Sequence, residues 1–331
     1  MRELARRFQE LGNEGKSVLI IGHPHADPDA IGSIIGLKEM LVSLGAKVTI
    51  GIPSNLSELA KNVLKLIETD IETDPPINSD VAVVVDTSSL DQLEGYEDKL
   101  VELGLENLVF IDHHRPDEKT SQEIRSYYVD ESASSSVELI LRLARELDFK
   151  FSPNVATFML TGIISDSGHF KFANKETFES VAFLLEMGAD YKGALDALDI
   201  EKSRSKRIAV LKSTQRAELY KAHNRWIVFS EVGAYESDAA SFFVSAGADV
   251  SLVASVDEDE GKVRISSRSR SGVSSETHLH LGELMSELGE KFDGTGGGHA
   301  GAAGLTVFGS FENVKKEALR KVKEMLRPKE E

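Results

Sequence analysis

The sequence predicts an α/β chain in two parts: a doubly wound, mostly parallel sheet over residues 1–190 and a smaller α/β domain over 218–331, joined by a helical linker over 191–217. Three observations carry that expectation. A length of 331 residues corresponds to about two domains. The first half alternates short, wholly apolar runs with longer stretches of helical periodicity, as buried parallel strands joined by helices do. A polar stretch near 192–216, containing Glu201-Lys-Ser-Arg-Ser-Lys-Arg207, then interrupts the pattern before a new set of strands and helices begins.

Taken in order, residues 17–22 read as a buried strand and 31–44 as a helix, with further strands at 47–52, 81–85 and 108–111. Val137, Ile140, Leu141, Ala144 and Leu147 recur at helical spacing and predict a helix near 134–148, followed by helices over 154–165 and 177–187. Beyond the linker come a strand at 226–231 with Trp226 in the core, a helix near 238–246 and a strand at 250–256. A turn at 257–261, a strand at 262–267, a helix near 278–289, a glycine-rich loop at 294–304, a strand at 305–308 and a helix at 311–326 complete the chain.

Composition limits function. The absence of cysteine excludes disulfide frameworks, zinc ribbons, thiolate nucleophiles and iron–sulfur clusters. No apolar run approaches the ~18 residues of a membrane span, and the charged N-terminus does not read as a signal peptide; a cytoplasmic protein without membrane association is expected. With 55 acidic against 38 basic residues and a formal charge of −17, the chain repels long polyanions, which are gripped through many lysines and arginines. A phosphorylated substrate should therefore be short and held locally.

Four segments carry the chemistry. The first strand runs into Gly22-His23-Pro24-His25-Ala26-Asp27-Pro28-Asp29-Ala30, the third into Asp86-Thr-Ser-Ser89 and the fourth into Asp112-His113-His114. Carboxyl ends of neighbouring parallel strands face one crevice. A helical pattern also breaks at Asp166, within Gly162-Ile-Ile-Ser-Asp166. Carboxylates gathered in one crevice repel by about 4 kcal/mol per close pair at an effective dielectric near 20. The motifs offer no matching lysine or arginine, so divalent cations are the expected counter-charge. Asp27, Asp29, Asp86 and Asp166 balance two such ions, one carboxylate bridging. Oxygen and imidazole ligands without thiolate suit manganese first, with magnesium or cobalt as alternatives and zinc less so. Paired ions of this kind activate water and stabilise both entering and leaving oxygens of a phosphoryl displacement.

In order and spacing these motifs resemble the DHH phosphoesterase superfamily. His23-x-x-x-Asp27-x-Asp29-Ala30-x-Gly32-Ser33 is similar to its first motif, Asp86 to the second, Asp112-His113-His114 to the third and Asp166 to the fourth. The later Gly296-Gly297-Gly298-His299 run resembles the nuclease-type substrate domain. The overall layout looks most like the nanoRNase and pAp-phosphatase, NrnA-like group. The resemblance implies that His23, Asp27 and Asp86 hold one metal and Asp29, Asp86, His113 and Asp166 the other. It also implies that His114 touches the scissile phosphate or the attacking hydroxide, that Asp112 orients an imidazole, and that copies of the chain pair as a homodimer. One departure stands out: where bacterial members read Thr-Asp-Thr-Gly-Arg, this chain has Ser165-Asp166-Ser167-Gly168-His169.

In the second domain, Gly294-Thr-Gly-Gly-Gly-His299-Ala-Gly-Ala-Ala-Gly304 lacks the lysine of a phosphate-binding P-loop, yet its small residues let backbone amides approach a ligand. Arg264, Arg268 and Arg270 lie at even spacing and share one face if the strand continues. The resemblance sets Arg268 and His299 against a terminal nucleotide, with Arg270 beside them and Gly297 and Gly298 in the cradle. His25 reads as facing solvent or supporting a ligand, Ser134-Ser-Ser136 as a helix cap, and His278 and His280 as helix-start residues rather than ligands. The expected activity is a manganese-dependent phosphohydrolase that degrades very short oligoribonucleotides to mononucleotides and also removes the 3′-phosphate of pAp. The alternatives are an inorganic pyrophosphatase or exopolyphosphatase-like hydrolase, and a nucleotide-binding sensor without turnover.

Overall fold

Val81-Ala-Val-Val-Val85 and Leu108-Val-Phe-Ile-Asp112 are buried along their whole length, and segments with no polar face belong inside a sheet covered on both sides. In the computed structural model, which describes residues 1–67, 69, 71–93, 95–200, 203–257 and 259–329, they form the centre of a six-stranded parallel sheet. Its strands are β1 (Ser17–Ile21), β2 (Lys47–Ile52), β3 (Glu72–Thr73), β4 (Val81–Val85), β5 (Leu108–Asp112) and β6 (Ser126–Val129), in the order β3-β2-β1-β4-β5-β6. Every pairing is parallel. The chain winds outward from β1 to β3, then restarts on the other side of β1 at β4. The reversal leaves a crevice beyond the carboxyl ends of β1 and β4.

Two apolar helices, Pro28–Ser43 and Pro153–Asp166, cover one face and cross closely. The crossing depends on glycine. A Cβ on Gly36 would lie 2.6 Å from Met159 Sδ, and one on Gly162 3.0 Å from Asp29 Cα. This approach sets the first turn of one helix, with Asp29, against the last turns of the other, which ends at Asp166.

The chain divides into two units, Met1–Ile200 and Glu201–Glu331. The stretch expected as a linker is shared between them. Helix Tyr191–Leu198 packs on Pro153–Asp166 in the first unit, and helix Arg204–Gln215 packs on Glu236–Ser245 in the second. Glu201 and Lys202 of that stretch, and Glu258 of the expected turn, lie outside the described residues.

The second unit holds a mixed sheet of β7 (Glu218–Ala222), β8 (Arg225–Glu231), β9 (Val250–Asp257), β10 (Lys262–Ser269), β11 (Thr295–His299) and β12 (Ala302–Phe308), ordered β11-β12-β10-β9-β8-β7. Only β8 and β9 pair in parallel. Helices Leu281–Lys291 and Phe311–Met325 bury one face around Ile227, Leu252 and Ile265, while Glu236–Ser245 covers Val228 and Val253 on the other. Two expectations are corrected. The glycine-rich loop at 294–304 is a β-hairpin, its glycines paired residue by residue across β11 and β12. Trp226 is not core: it alternates with the buried Ile227 along β8, lies 48% exposed and carries Lys221 over its ring. No helix among the described residues is long and apolar enough to cross a membrane.

Replacing Gly162 by valine should overpack the helix crossing and lower stability by on the order of 1–3 kcal/mol. A urea-unfolding midpoint equal to that of the unsubstituted chain would show that the two helices separate freely.

Candidate metal centre

Asp27 is first of all a cap. Its Oδ1 accepts the N–H groups of Asp29 (2.9 Å) and Ala30 (3.1 Å) at the start of helix Pro28–Ser43, which leaves Oδ2 uncommitted. Asp29, fully buried, accepts N–H bonds at the start of a different helix, Ser136–Glu146: from Ser136 to Oδ2 (2.6 Å) and from Val137 to Oδ1 (3.1 Å). A helix N-terminus favours a negative group in this position.

Asp86 follows β4 with φ +58°, a left-handed conformation uncommon outside glycine. Its backbone N–H donates to Ile111 O at 3.0 Å. The side chain faces two ways: Oδ2 lies 3.5 Å from His23 Nε2, and Oδ1 lies 3.6 Å from His113 Nε2. The Ser136 hydroxyl donates to Oδ1 at 2.9 Å and fixes that rotation.

Asp112 ends β5 and is fully buried. Its Oδ1 accepts the His113 N–H and meets His114 Nδ1, both at 2.8 Å. The His113 ring turns inward: Nε2 stands 3.2 Å from Asp166 Oδ2 and 3.8 Å from Asp29 Oδ2. His114 remains exposed at the mouth.

The residues thus fall into groups whose ligand atoms lie within 4.8 Å of one another: His23, Asp27 and Asp86; Asp29, His113 and Asp166; and Asp86 with Asp112, His113 and His114. Two atoms among them, His113 Nε2 and Asp112 Oδ2, are buried without any hydrogen-bond partner. Buried polar atoms of native proteins are nearly always paired. An imidazole nitrogen aimed at three carboxylates, with no hydrogen bond of its own, suits a divalent cation in both donor type and charge.

Without a cation, protons must offset the crowding. Burial, then the charges of Asp86 and Asp166, push Asp27 up to about 6, and the same causes push Asp29 well above the usual carboxylate range. Burial opposes charge on His23, but the carboxylate of Asp86 overrides it and lifts the ring to about 9. His113 is likewise raised against its burial, by Asp166 and Asp86, and His114 reaches about 9, chiefly through its hydrogen bond to Asp112. Burial would raise Asp86, yet the facing histidines hold it below the usual range.

Two contributors escaped the sequence reading. Ser136 is more than part of a cap: Ser135 is the N-cap, while Ser136 touches Asp29, Asp86 and, at 3.5 Å, Asp112. Three successive serines where a cap needs one were the available signal. The second is Arg115. The motifs do contain a cation: it directly follows His114 and lines a cleft of about 730 Å³ together with His23, Asp27, Asp86 and His114. His25 and His169 are exposed, and His280 caps helix Leu281–Lys291 by accepting the Glu283 N–H at 3.1 Å.

In the second unit, Arg270 departs from the expected row. It lies past the end of β10, with Nη2 2.8 Å and Nε 3.2 Å from Asp249 Oδ1, so its charge is spent on Asp249. Arg264 and Arg268 do share a face, Arg264 near Glu236 Oε1 at 3.2 Å and Arg268 donating to Ser237 Oγ at 2.7 Å. Between them the cross-strand row Ser266, Gly304 and Gly297 leaves the sheet almost bare. This forms the floor of a cleft of about 430 Å³ lined by Ser237, Arg264, Thr295 and Thr306. Exposed His299 stands at the far end of β11. Gly298 adopts φ +140°, and a Cβ there would lie 2.5 Å from Ala302 O.

Residues 17–163 match the DHH family, N-terminal domain, and residues 238–327 match the DHHA1 domain; the chain belongs to the DHH family. It is 35% identical over 309 residues to an uncharacterized protein of Methanocaldococcus jannaschii, covering 92% of this chain and 91% of that one. It is 30% identical over 189 residues to the probable bifunctional oligoribonuclease and PAP phosphatase NrnA of Streptococcus mutans, covering 55% of this chain and 56% of that protein. The fold is shared with an exopolyphosphatase-related protein from Bacteroides fragilis, at TM-score 0.65 and 22% identity over 98% of both chains.

A cation binds neutral imidazole and ionised carboxylate, so it must displace the protons held by His23, near 9, and Asp27, near 6. Manganese affinity should therefore climb from about pH 6 to about pH 9, with proton release visible by calorimetry in two buffers of different ionisation enthalpy; an affinity flat across that window would exclude His23 as a ligand. Ser136→Ala should weaken manganese binding by about 10–100-fold, as loss of a group that orients a ligand does, while Ser136→Thr retains it. Unchanged affinity in the alanine variant would mean that the backbone alone holds Asp86.

Proposed function

We propose that this member of the DHH family is a divalent-cation-dependent phosphohydrolase that degrades very short oligoribonucleotides to mononucleotides and removes the 3′-phosphate of pAp. The observation that carries the reading is the two-way placement of Asp86, one oxygen toward His23 and the other toward His113. In this reading His23, Asp27 and Asp86 hold one cation and Asp29, Asp86, His113 and Asp166 a second. Such a pair, manganese before magnesium or cobalt, neutralises the carboxylates, polarises a phosphoryl oxygen and makes water nucleophilic near neutral pH.

The chain's own groups supply the rest. Asp112 fixes the His114 ring through Nδ1. That hydrogen bond favours the protonated ring, whose Nε2 would donate to a non-bridging oxygen of the scissile phosphate. In the second unit, Arg268 offers a guanidinium to a phosphate, and Gly297, Gly298 and His299 let the nucleotide approach the sheet. Arg270, paired with Asp249, stands beside them. The net charge of −17 favours substrates of few nucleotides, since a long strand would meet repulsion outside the site. The activities for which the Streptococcus mutans relative is named, oligoribonuclease and PAP phosphatase, agree with this substrate class.

Labelled diribonucleotide, pAp and pyrophosphate, incubated with protein and manganese with and without chelator, test the reading. Hydrolysis of the first two, abolished by chelator, is expected; turnover of pyrophosphate alone, or tight nucleotide binding without turnover, would overturn it. His113→Ala should lower kcat by more than about 100-fold, beyond the effect typical of groups behind the ligands, whereas Arg268→Ala should chiefly raise KM. The opposite pattern would exchange their roles.

A further inference from the structure

We infer that Glu138 is a positioning residue for the metal centre: it grips the Ser134 hydroxyl and thereby holds the turn from which Ser136 reaches Asp29 and Asp86. The inference rests on the metal-centre reading of the acid cluster. Glu138 sits in the first turn of helix Ser136–Glu146, three residues after the N-cap Ser135, the spacing of a capping box. A capping-box glutamate reaches back to the backbone N–H of the N-cap. Here Oε1 accepts the Ser134 hydroxyl instead, and Oε2 is buried without a hydrogen-bond partner. The side chain is fully buried and makes no ion pair among the described residues. An acid buried on these terms is costly. Capping does not require it, because Ser135 Oγ already accepts the Glu138 N–H at 3.3 Å.

The other end of this contact lies on a different helix. Ser134 Oγ is 3.0 Å from Thr177 Oγ1, and Thr177 is fully buried at the start of helix Lys175–Glu186. Asn174 fixes Thr177 through a complete capping box, with both backbone-to-side-chain bonds at 3.1 Å. Its Nδ2 also donates to Ser132 O at 2.8 Å. The Ser134 hydroxyl is therefore held from two sides. A carboxylate oxygen accepts, so Ser134 donates to Glu138 and takes the proton of Thr177 in return.

One residue separates Ser134 from Ser136, whose N–H meets Asp29 Oδ2 at 2.6 Å and whose hydroxyl meets Asp86 Oδ1 at 2.9 Å. Val137 adds an N–H to Asp29 Oδ1 at 3.1 Å. The two acids come from different elements, the start of helix Pro28–Ser43 and the residue after β4, so the turn must keep one place relative to both. The cap at Ser135 closes its own helix and does not set that place. The grip on Ser134 does, since it ties the turn to helix Lys175–Glu186. A satisfied network of buried hydroxyls is stiff, and groups that orient the ligands of a metal act on its affinity through them.

Two measurements on Ser134→Ala, Glu138→Ala and Glu138→Gln test the assignment: amide exchange by NMR without metal, and manganese affinity by calorimetry. In both alanine variants the Ser136 and Val137 N–H groups should exchange about tenfold faster, the worth of one hydrogen bond, while Leu143 and Ala144 in the same helix keep their rates. Manganese affinity should fall by about tenfold. Glu138→Ala combined with Ser136→Ala should lose less than the product of the two single losses, because one residue acts through the other. Glu138→Gln, whose amide oxygen still accepts the Ser134 hydroxyl, should retain the affinity. Unchanged exchange at Ser136 and Val137, faster exchange spread evenly along the helix, losses that multiply, or a glutamine variant as weak as the alanine one would each overturn the assignment. If the unsubstituted protein binds no manganese, the metal-centre reading fails by itself. The exchange rates at Ser136 and Val137 then decide separately whether Glu138 holds the donors of Asp29.

Discussion

Four carboxylates share one crevice at the point where the strand order reverses, and most of what is unusual in the first unit answers to that crowding. Left bare, close like charges cost several kcal/mol per pair in a partly buried setting. Asp27 and Asp29 are each steadied by N–H groups at a helix start, of Pro28–Ser43 and Ser136–Glu146 respectively. Asp86 is held between histidines and a serine hydroxyl. The glycines at 32, 36 and 162 let two helices cross closely enough to bring Asp29 and Asp166 to the same ring of His113. Once a cation has displaced the histidine protons, none of these devices supplies full positive charge. They orient the acids without neutralising them, which is what an ion-binding site requires and what a stability-driven core would avoid.

The second unit leaves a strip of its sheet bare of side chains. A side chain on every residue of β11 and β12 would roughen the exposed face. The register instead lines up Ser266, Gly304 and Gly297 across three strands, so backbone forms the surface. Arg264 and Arg268 flank that strip along β10. Glycine weakens a strand interior, and here the weakness is offset by the packing of helix Leu281–Lys291 against β11 and β12.

The parallel sheet and its site-bearing ends were legible because β1, β4 and β5 are continuous apolar runs that each stop at an acid or histidine. Helix Pro153–Asp166 was legible for the same reason, its periodicity breaking at the acid that matters. Short half-exposed elements were not: β6, Ser126-Tyr-Tyr-Val129, and β7, Glu218-Leu-Tyr-Lys-Ala222, are edge strands whose residues are mostly only partly buried or exposed, so neither shows a full alternation. The glycine hairpin was misread because glycine run-lengths signal loops, whereas pairing with β10 through β12 holds these in a sheet. Arg270 was misplaced since its partner, Asp249, lies 21 residues earlier, beyond the reach of strand periodicity. Ser136 illustrates the same limit: its three acidic partners come from three different strand or helix ends, and only the folded sheet unites them.

The contiguity of Asp112, His113 and His114 has a mechanical reason that follows from the same sheet. Just past the end of β5 the two rings lie side by side, centroids 4.3 Å apart, yet they face different surroundings. His113 points into the acid cluster, with a buried Nε2 that no protein atom satisfies, while His114 turns to the cleft mouth. One acid serves both: Asp112 Oδ1 accepts the backbone N–H that sets His113 and also meets the ring nitrogen that sets His114. Moving Asp112 by a single residue would place its carboxylate on the other face of the sheet and release both rings together. Three consecutive residues therefore act as one unit, in which a single buried carboxylate steadies both an imidazole facing the acid cluster and an exposed one.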